Sequence, residues 1–290
     1  MKRIPSAGRV LQLTPTCLAL GAFFVVPMLL VLLISFDQRG PHGGIAPAQS
    51  GHLLDNYRAA SDPLYLRVFG RSTWMALLTT ALCLVMSYPV AYYSALTVRP
   101  SWKNTLLALV AVPFWTSFLI RTYAWVLILR SEGLLNTLLL KLHLIGTPLE
   151  LLPSNTAILL GLVYGELPFM ILPLYASLEK LDRSLLEAAA DLGAGPWKAF
   201  WRVTVRLTMP GIVAGAVIVF IPSIGQFVVT DVLGGGRIEL IGNVIYDQFL
   251  TSANNPPFGA ALTLSLSGVV LIMLLLYAFY ARQTLQAVEL

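Results

Sequence analysis

The chain is poor in charge: Asp, Glu, Lys and Arg together make up 11% of its 290 residues, where a soluble domain carries about 25%. A water-facing surface of this size needs far more charge, which excludes an ordinary cytosolic enzyme, and the apolar content excludes a disordered chain. Cysteine is nearly absent. The two present, Cys17 and Cys83, both sit inside apolar runs, so they build no disulfide framework and read as small packing or lipid-facing residues. The three histidines, His42, His52 and His143, stand far apart with no ligand spacing around them, and no metal site is expected. No basic run exceeds two residues, so the net charge of +5 reads as loops facing anionic lipid rather than as a nucleic-acid surface. A phosphate-cradling Gly-x-x-x-x-Gly-Lys-Ser/Thr loop is also missing, because Gly234-Gly235-Gly236-Arg237 lacks the lysine and the hydroxyl after it.

What the chain has in quantity is apolar sequence: 57% of its residues are hydrophobic and the mean hydropathy is +0.77. Apolar stretches of about 18 residues or more cross the ~30 Å hydrocarbon layer as helices. Six are found, at about 11–36, 72–96, 105–129, 154–176, 208–231 and 258–281. Helix is the required state, since lipid offers no partner to open backbone groups. The expected fold is an all-α polytopic membrane protein with six transmembrane helices in a single domain, 1–290. The first span follows Lys2, Arg3 and Arg9, yet its apolar run is too long for a signal peptide and no small-x-small site closes it, so an uncleaved anchor is expected.

With the N-terminus inside, the cytoplasmic segments 1–10, 97–104, 177–207 and 282–290 hold 11 Lys/Arg in 58 residues. The outer segments 37–71, 130–153 and 232–257 hold 7 in 85. This bias places both termini in the cytoplasm.

The loop between spans four and five is too patterned for a plain connector. Ser184 and Glu187 have capping-box spacing, Ala188, Ala189 and Ala190 are strong helix formers, and Gly193 suits the position just past a helix end. Pro196 suits the first turn of a second helix, on which Trp197, Phe200, Trp201 and Thr204 share one face and Lys198, Arg202 and Arg206 another. Two short helices joined at a glycine make a compact knob over about 181–206. Its alanine surface suits close approach by a protein, and its Trp and Arg content suits lipid headgroups; both readings stand on the residues alone.

Glu187-Ala188-Ala189 followed by Gly193 resembles the EAA motif of ABC-importer permeases. That resemblance implies the type I ABC importer permease (MetI-like) fold, with Glu187, Ala188, Ala189, Asp191 and Gly193 docking a separate ATPase. The family's pattern ends on a proline where this chain has Arg206, and Pro210 follows four residues later. Further runs are similar to the polyamine (spermidine/putrescine) branch: Pro113-Phe114-Trp115-Thr116-Ser117-Phe118-Leu119-Ile120-Arg121, Leu167-Pro168-Phe169-Met170 with Pro173-Leu174-Tyr175, Asp231-Val232-Leu233-Gly234-Gly235, and Ile241-Gly242-Asn243-Val244. The resemblance implies a bacterial inner-membrane assembly of two ATPase copies, which bind the ATP and Mg, a second permease, and a periplasmic or lipid-anchored binding protein. It implies a small cationic cargo, no cofactor on this chain and no catalysis by it.

Within the spans, Glu166 is a carboxylate at a depth where one is costly unless it meets a partner or a watery cavity. Arg121 lies within about 6 Å of the same depth by helical rise, so the two read either as a gate or cation-attracting site or as a packing pair. Asp231 stands at the outer end of span five, where a cationic amine would be attracted. Pro222, with Gly225 three residues on, is expected to break span five and expose backbone along a path. Trp115, Trp125, Tyr123 and Tyr164 offer aromatic faces to an ammonium group or serve as interfacial packing. Asp55, Asp62 and Asp247 fall in outer loops. An ion-driven secondary transporter would need coupling sites beyond Glu166 and Arg121, and an intramembrane enzyme would need a nucleophile–base pair or metal cluster that the spans do not offer.

Overall fold

A computed structural model describes residues 14–16, 18–47, 51–251 and 253–286, with side chains as far as 275. Lys2, Arg3, Arg9 and Cys17, and the first residues of the expected span one, lie outside the described residues. The described residues are mostly helical: α1 (Thr14–Ile34), α2 (Asp55–Ala60), α3 (Pro63–Tyr92), α4 (Pro100–Ala111), α5 (Phe118–Leu129), α6 (Leu134–Lys141), α7 (Asn155–Glu179) and α8 (Ser184–Asp191). There follow α9 (Pro196–Leu207), α10 (Met209–Gly225), α11 (Val228–Gly234), α12 (Ile241–Leu250) and α13 (Pro256–Gln286). A two-stranded hairpin, β1 (Gln38–Arg39) against β2 (Ile45–Ala46), sits in the first loop.

Among the described residues four helices are each long and apolar enough to cross a membrane, and six spans result if two bent pairs each count as one. The first pair corrects the expected span three. Pro100–Trp115 and Phe118–Lys141 meet at 86°, because Pro113 tightens the chain into a short 3₁₀ turn and Thr116 and Ser117 are extended. The second joins α9 to α10 at 64°. Span five is likewise interrupted, but after Gly225 rather than at Pro222: Pro222 lies inside α10, and Gln226 is the extended residue before α11. Span two begins at Pro63, nine residues before its expected start, since Arg67 and Arg71 ride on an exposed end of α3.

Two compact units form the chain. In residues 67–243 the packing centre is α7. Ile158, Leu162, Glu166, Met170, Leu174 and Leu178 recur every fourth residue along it, all buried, which makes one continuous ridge. Ser154 caps its start by accepting the Ala157 N–H at 3.1 Å. The first half of the ridge packs with Met75 of α3, Leu129 of α5, and Val229 and Leu233 of α11. The second half packs with Cys83, Tyr88 and Ala91 of α3 and Val219 of α10. Gly211 and Gly215, one turn apart on α10, face Ser177, Pro173 and Met170 of α7 closely enough that side chains there would collide.

The other unit, residues 14–66 and 244–272 in the described part, holds α1, the hairpin, α2, most of α12 and the first half of α13. Tyr57 Oη and Ser35 Oγ are 2.8 Å apart, and Asn56 Nδ2 donates to Ser35 O and Asp37 O. The Gly44 N–H donates to Asn254 O, and Tyr65 and Phe258 meet edge to face at 5.0 Å. No described residue of α1 from 21 to 34 is buried.

Candidate functional site

The knob forms where the residue pattern expects it. Helix α8 starts at Ser184, but the cap is not the expected Ser184–Glu187 box. Asp182 supplies it, its carboxylate accepting the Ser184 N–H at 3.0 Å, and that bond holds the Asp182 carboxyl below the usual aspartate range. At the other end Gly193 takes φ +78°. Its N–H donates to Ala190 O at 2.8 Å and the Ala194 N–H donates to Ala189 O at 2.9 Å. These are the two bonds of a Schellman end, and only glycine reaches that φ without cost. Pro196 opens α9 as expected.

Glu187, Ala188, Asp191 and Gly193 are exposed and Ala189 is half-buried, while Leu192 at the tip is 89% exposed. The aromatic face of α9 divides. Trp197, Phe200 and Trp201 do cluster, with centroids 5.4–6.0 Å apart, but Thr204 is buried whereas Trp197 and Trp201 are exposed. A π turn at Phe200–Thr204 shifts the register, which draws Phe200 toward α3.

The knob is held to the helices behind it by residues that sequence reasoning passed over. Phe200 meets Tyr88 of α3 edge-on at 5.4 Å and Tyr92 at 6.0 Å. Tyr88 Oη lies 2.9 Å from Thr208 Oγ1 in the α9–α10 bend. Thr208 places its own proton on Thr204 O at 2.8 Å, so the tyrosine is the donor. Arg183 donates to Leu96 O, in the turn that ends α3. Glu179, at the end of α7, pairs with Lys103 of α4 at 3.3 Å and accepts the Tyr175 hydroxyl at 2.7 Å. A cavity of about 600 Å³ opens beside the knob, lined by Ser177, Lys180, Asp182, Leu185, Pro210 and Gly211 among others.

A second focus is the interruption of span five. Gly242 lies so close behind it that an added Cβ would stand 2.4 Å from Gly225 O. Asn243, nearly buried, donates to Phe227 O at 3.2 Å and accepts the Leu240 N–H. The Ile241 N–H donates to Ser72 Oγ of α3 at 2.8 Å. The Ile241-Gly242-Asn243 run is thus a clamp over the exposed backbone between α10 and α11.

Among the described residues the expected pathway residues make no ion pair or hydrogen bond with one another. Glu166 sits on the buried ridge of α7 at 7% exposure, and its Oε2 finds no hydrogen-bond partner among the described residues. Arg121 leaves its buried Nε equally unpaired and lays its guanidinium over Phe114, 4.9 Å from the ring centre. The two form no ion pair among the described residues. Trp115 is 86% exposed beside the bend of span three. Tyr164 packs edge-on with Trp125 at 5.5 Å. Asp231 is exposed on α11, and Pro222 is exposed three residues before the interruption.

Residues 9–286 match the family described as binding-protein-dependent transport system inner membrane component. The spermidine/putrescine transport system permease protein PotB of Haemophilus influenzae is 43% identical over 263 residues, covering 91% of this chain and 90% of that one. The protein of the same name from Escherichia coli is 44% identical over 271 residues, covering 92% and 96%. The fold is similar to that of a bacterial ABC transporter involved in the import of the acidic polysaccharide alginate, with TM-score 0.72 at 17% identity over 94% of both chains.

Proposed function

The chain belongs to the binding-protein-dependent transport system inner membrane components, and from that premise we propose that it carries putrescine or spermidine as one of two permease subunits in an ATP-driven importer. The observation that carries the reading is α8 itself. It is an exposed two-turn helix bearing Glu187-Ala188-Ala189, capped at one end by Asp182 and closed at the other by Gly193. A helix finished at both ends moves as one body, which a docking handle requires.

In this reading the knob faces the cytoplasm, as do both termini, and Glu187, Ala188, Ala189, Asp191 and Gly193 meet the ATPase. Two ATPase copies bind and hydrolyse the ATP. A periplasmic or lipid-anchored binding protein delivers the amine to the outer face, and a second permease completes the path. This chain contributes rigid parts, namely the knob, the α7 ridge and the clamp over the interruption. Closure of the ATPase pulls the knob and switches the packed helices between two arrangements. Glu166, Arg121, Asp231, Trp115, Tyr164 and Pro222 are the proposed contacts along the path. Asp231 and Trp115 reach it first, because both are exposed, one as a carboxylate and one as a π face for a cationic amine.

In liposomes that contain the ATPase, the second permease and a spermidine-loaded binding protein, the chain supports spermidine uptake only with ATP. Uptake by this chain without the ATPase would overturn the reading.

A further inference from the structure

Resting on the importer reading for the source of motion, we propose that α3 is the rod that carries displacement of the knob to the interruption of span five. The covalent route from knob to interruption runs along α9 and α10, through the 64° bend at Thr208 and past Pro222. A bent and proline-bearing path yields at its joints. Helix α3 offers a straighter one. From Ser72 to Tyr88, the contact on Thr208, it contains neither glycine nor proline, and its Pro89 stands beyond Tyr88 on the knob side, before Tyr92 and Leu96. The unbroken stretch spans about 24 Å at about 1.5 Å per residue.

Its two ends hold the two foci. At one end Tyr88 donates to Thr208, Tyr88 and Tyr92 enclose Phe200, and Leu96 O receives Arg183. The knob is thereby gripped at the start of α8, in the middle of α9 and at the bend. At the other end Ser72 Oγ accepts the Ile241 N–H, and the next residues hold the interruption through Gly242 against Gly225 and Asn243 on Phe227 O. Between the ends, Cys83 Sγ and Ser87 Oγ donate to Val163 O and Leu167 O of α7. Both carbonyls already belong to a helix ladder, so these contacts guide α3 along α7 without locking it.

The test uses the complex of the full chain with its ATPase and second permease, with Cys17 replaced by Ala and Cys83, fully buried, kept as a guide contact. Gly225→Cys is introduced as the probe, since no atom lies within 4 Å of a Cβ there. Its labelling rate by a water-soluble maleimide is compared without nucleotide and after trapping with ATP and vanadate. The parent is expected to change by about threefold to tenfold, in the range that mutation of a coupling element can remove. Tyr88→Phe with Phe200→Leu at the knob, and separately Ser72→Ala at the clamp, are each expected to abolish the change while the ATPase stays bound and hydrolyses. A change that persists in either variant overturns the rod. So does a parent that binds ATPase yet shows no change. A parent that does not bind the ATPase overturns the importer reading beneath it.

Discussion

Replacing Gly193 by Ala measures the knob directly. At φ +78° an L-residue costs about 1–2 kcal/mol. If the helix end unwinds instead, it gives up the Ala190 and Ala189 carbonyl bonds, each worth about 1 kcal/mol. Either route therefore bounds the loss at about 1–2 kcal/mol, which at about 1.4 kcal/mol per decade is a fall of about fivefold to thirtyfold in ATPase affinity. Asn tolerates the left-handed region better than Ala, so Gly193→Asn falls less and Gly193→Val more. The assay is the Kd of the solubilised permease pair for immobilised ATPase. No atom of this chain lies within 4 Å of a Cβ at Gly193, so a loss well beyond thirtyfold for Ala reports the partner's surface pressed against that position. Equal affinity for Gly and Ala, or a weaker Asn than Ala, would refute the conformational argument.

Gly242→Ala places a Cβ against the Gly225 carbonyl and is expected to cost about 1–3 kcal/mol as overpacking, read as a lower unfolding midpoint in detergent; an unchanged midpoint would mean that the clamp does not bear on the interruption. Glu166→Leu removes an unpaired buried carboxyl from an apolar ridge, which costs about 1–3 kcal/mol while it stays. The midpoint is expected to rise and cation uptake to fall. A lower midpoint would show that the carboxyl is satisfied. Asp182 has its carboxyl held below the usual range by the Ser184 N–H. Its capping is therefore fully present above the ordinary aspartate pKa of about 4 and is lost as pH falls through the depressed value. The protection of the Ser184 amide, its exchange measured against the intrinsic rate at each pH, should fall in acid in the parent and be low at every pH in Asp182→Ala. Acid-insensitive protection in the parent would remove Asp182 as the cap.

The spans were legible because apolar length is a local property, and so was the knob, because Pro196 and Gly193 act on their own backbone. Asp182 was overlooked as the cap because Ser184 and Glu187 fit the capping-box spacing while Leu185, three residues after Asp182, does not, and only the geometry shows the Asp182 carboxylate on the Ser184 N–H. The bend of span three follows from Pro113 and the extended Thr116–Ser117, whereas hydropathy averages across such a bend. Arg183, Tyr88 and Ser72 were invisible for a different reason. Their partners Leu96 and Thr208, and the Ile241 backbone, lie 87, 120 and 169 residues away, and no local pattern encodes a contact at that separation. Glu166 and Arg121 are matched in depth by helical rise alone, and depth along a helix says nothing of the direction in which each side chain leaves it.

The hollow beside the knob bears on how freely the handle can travel. It measures about 600 Å³, and its walls are the end of α7, the approach to α8 and the start of α10. A lever whose inner flank borders an open hollow has little to displace as it swings, whereas one bedded in side chains must first prise a jigsaw apart. Filling that clearance from an exposed wall residue, with Ala176→Phe for example, is expected to leave the α7–α10 packing intact and slow uptake.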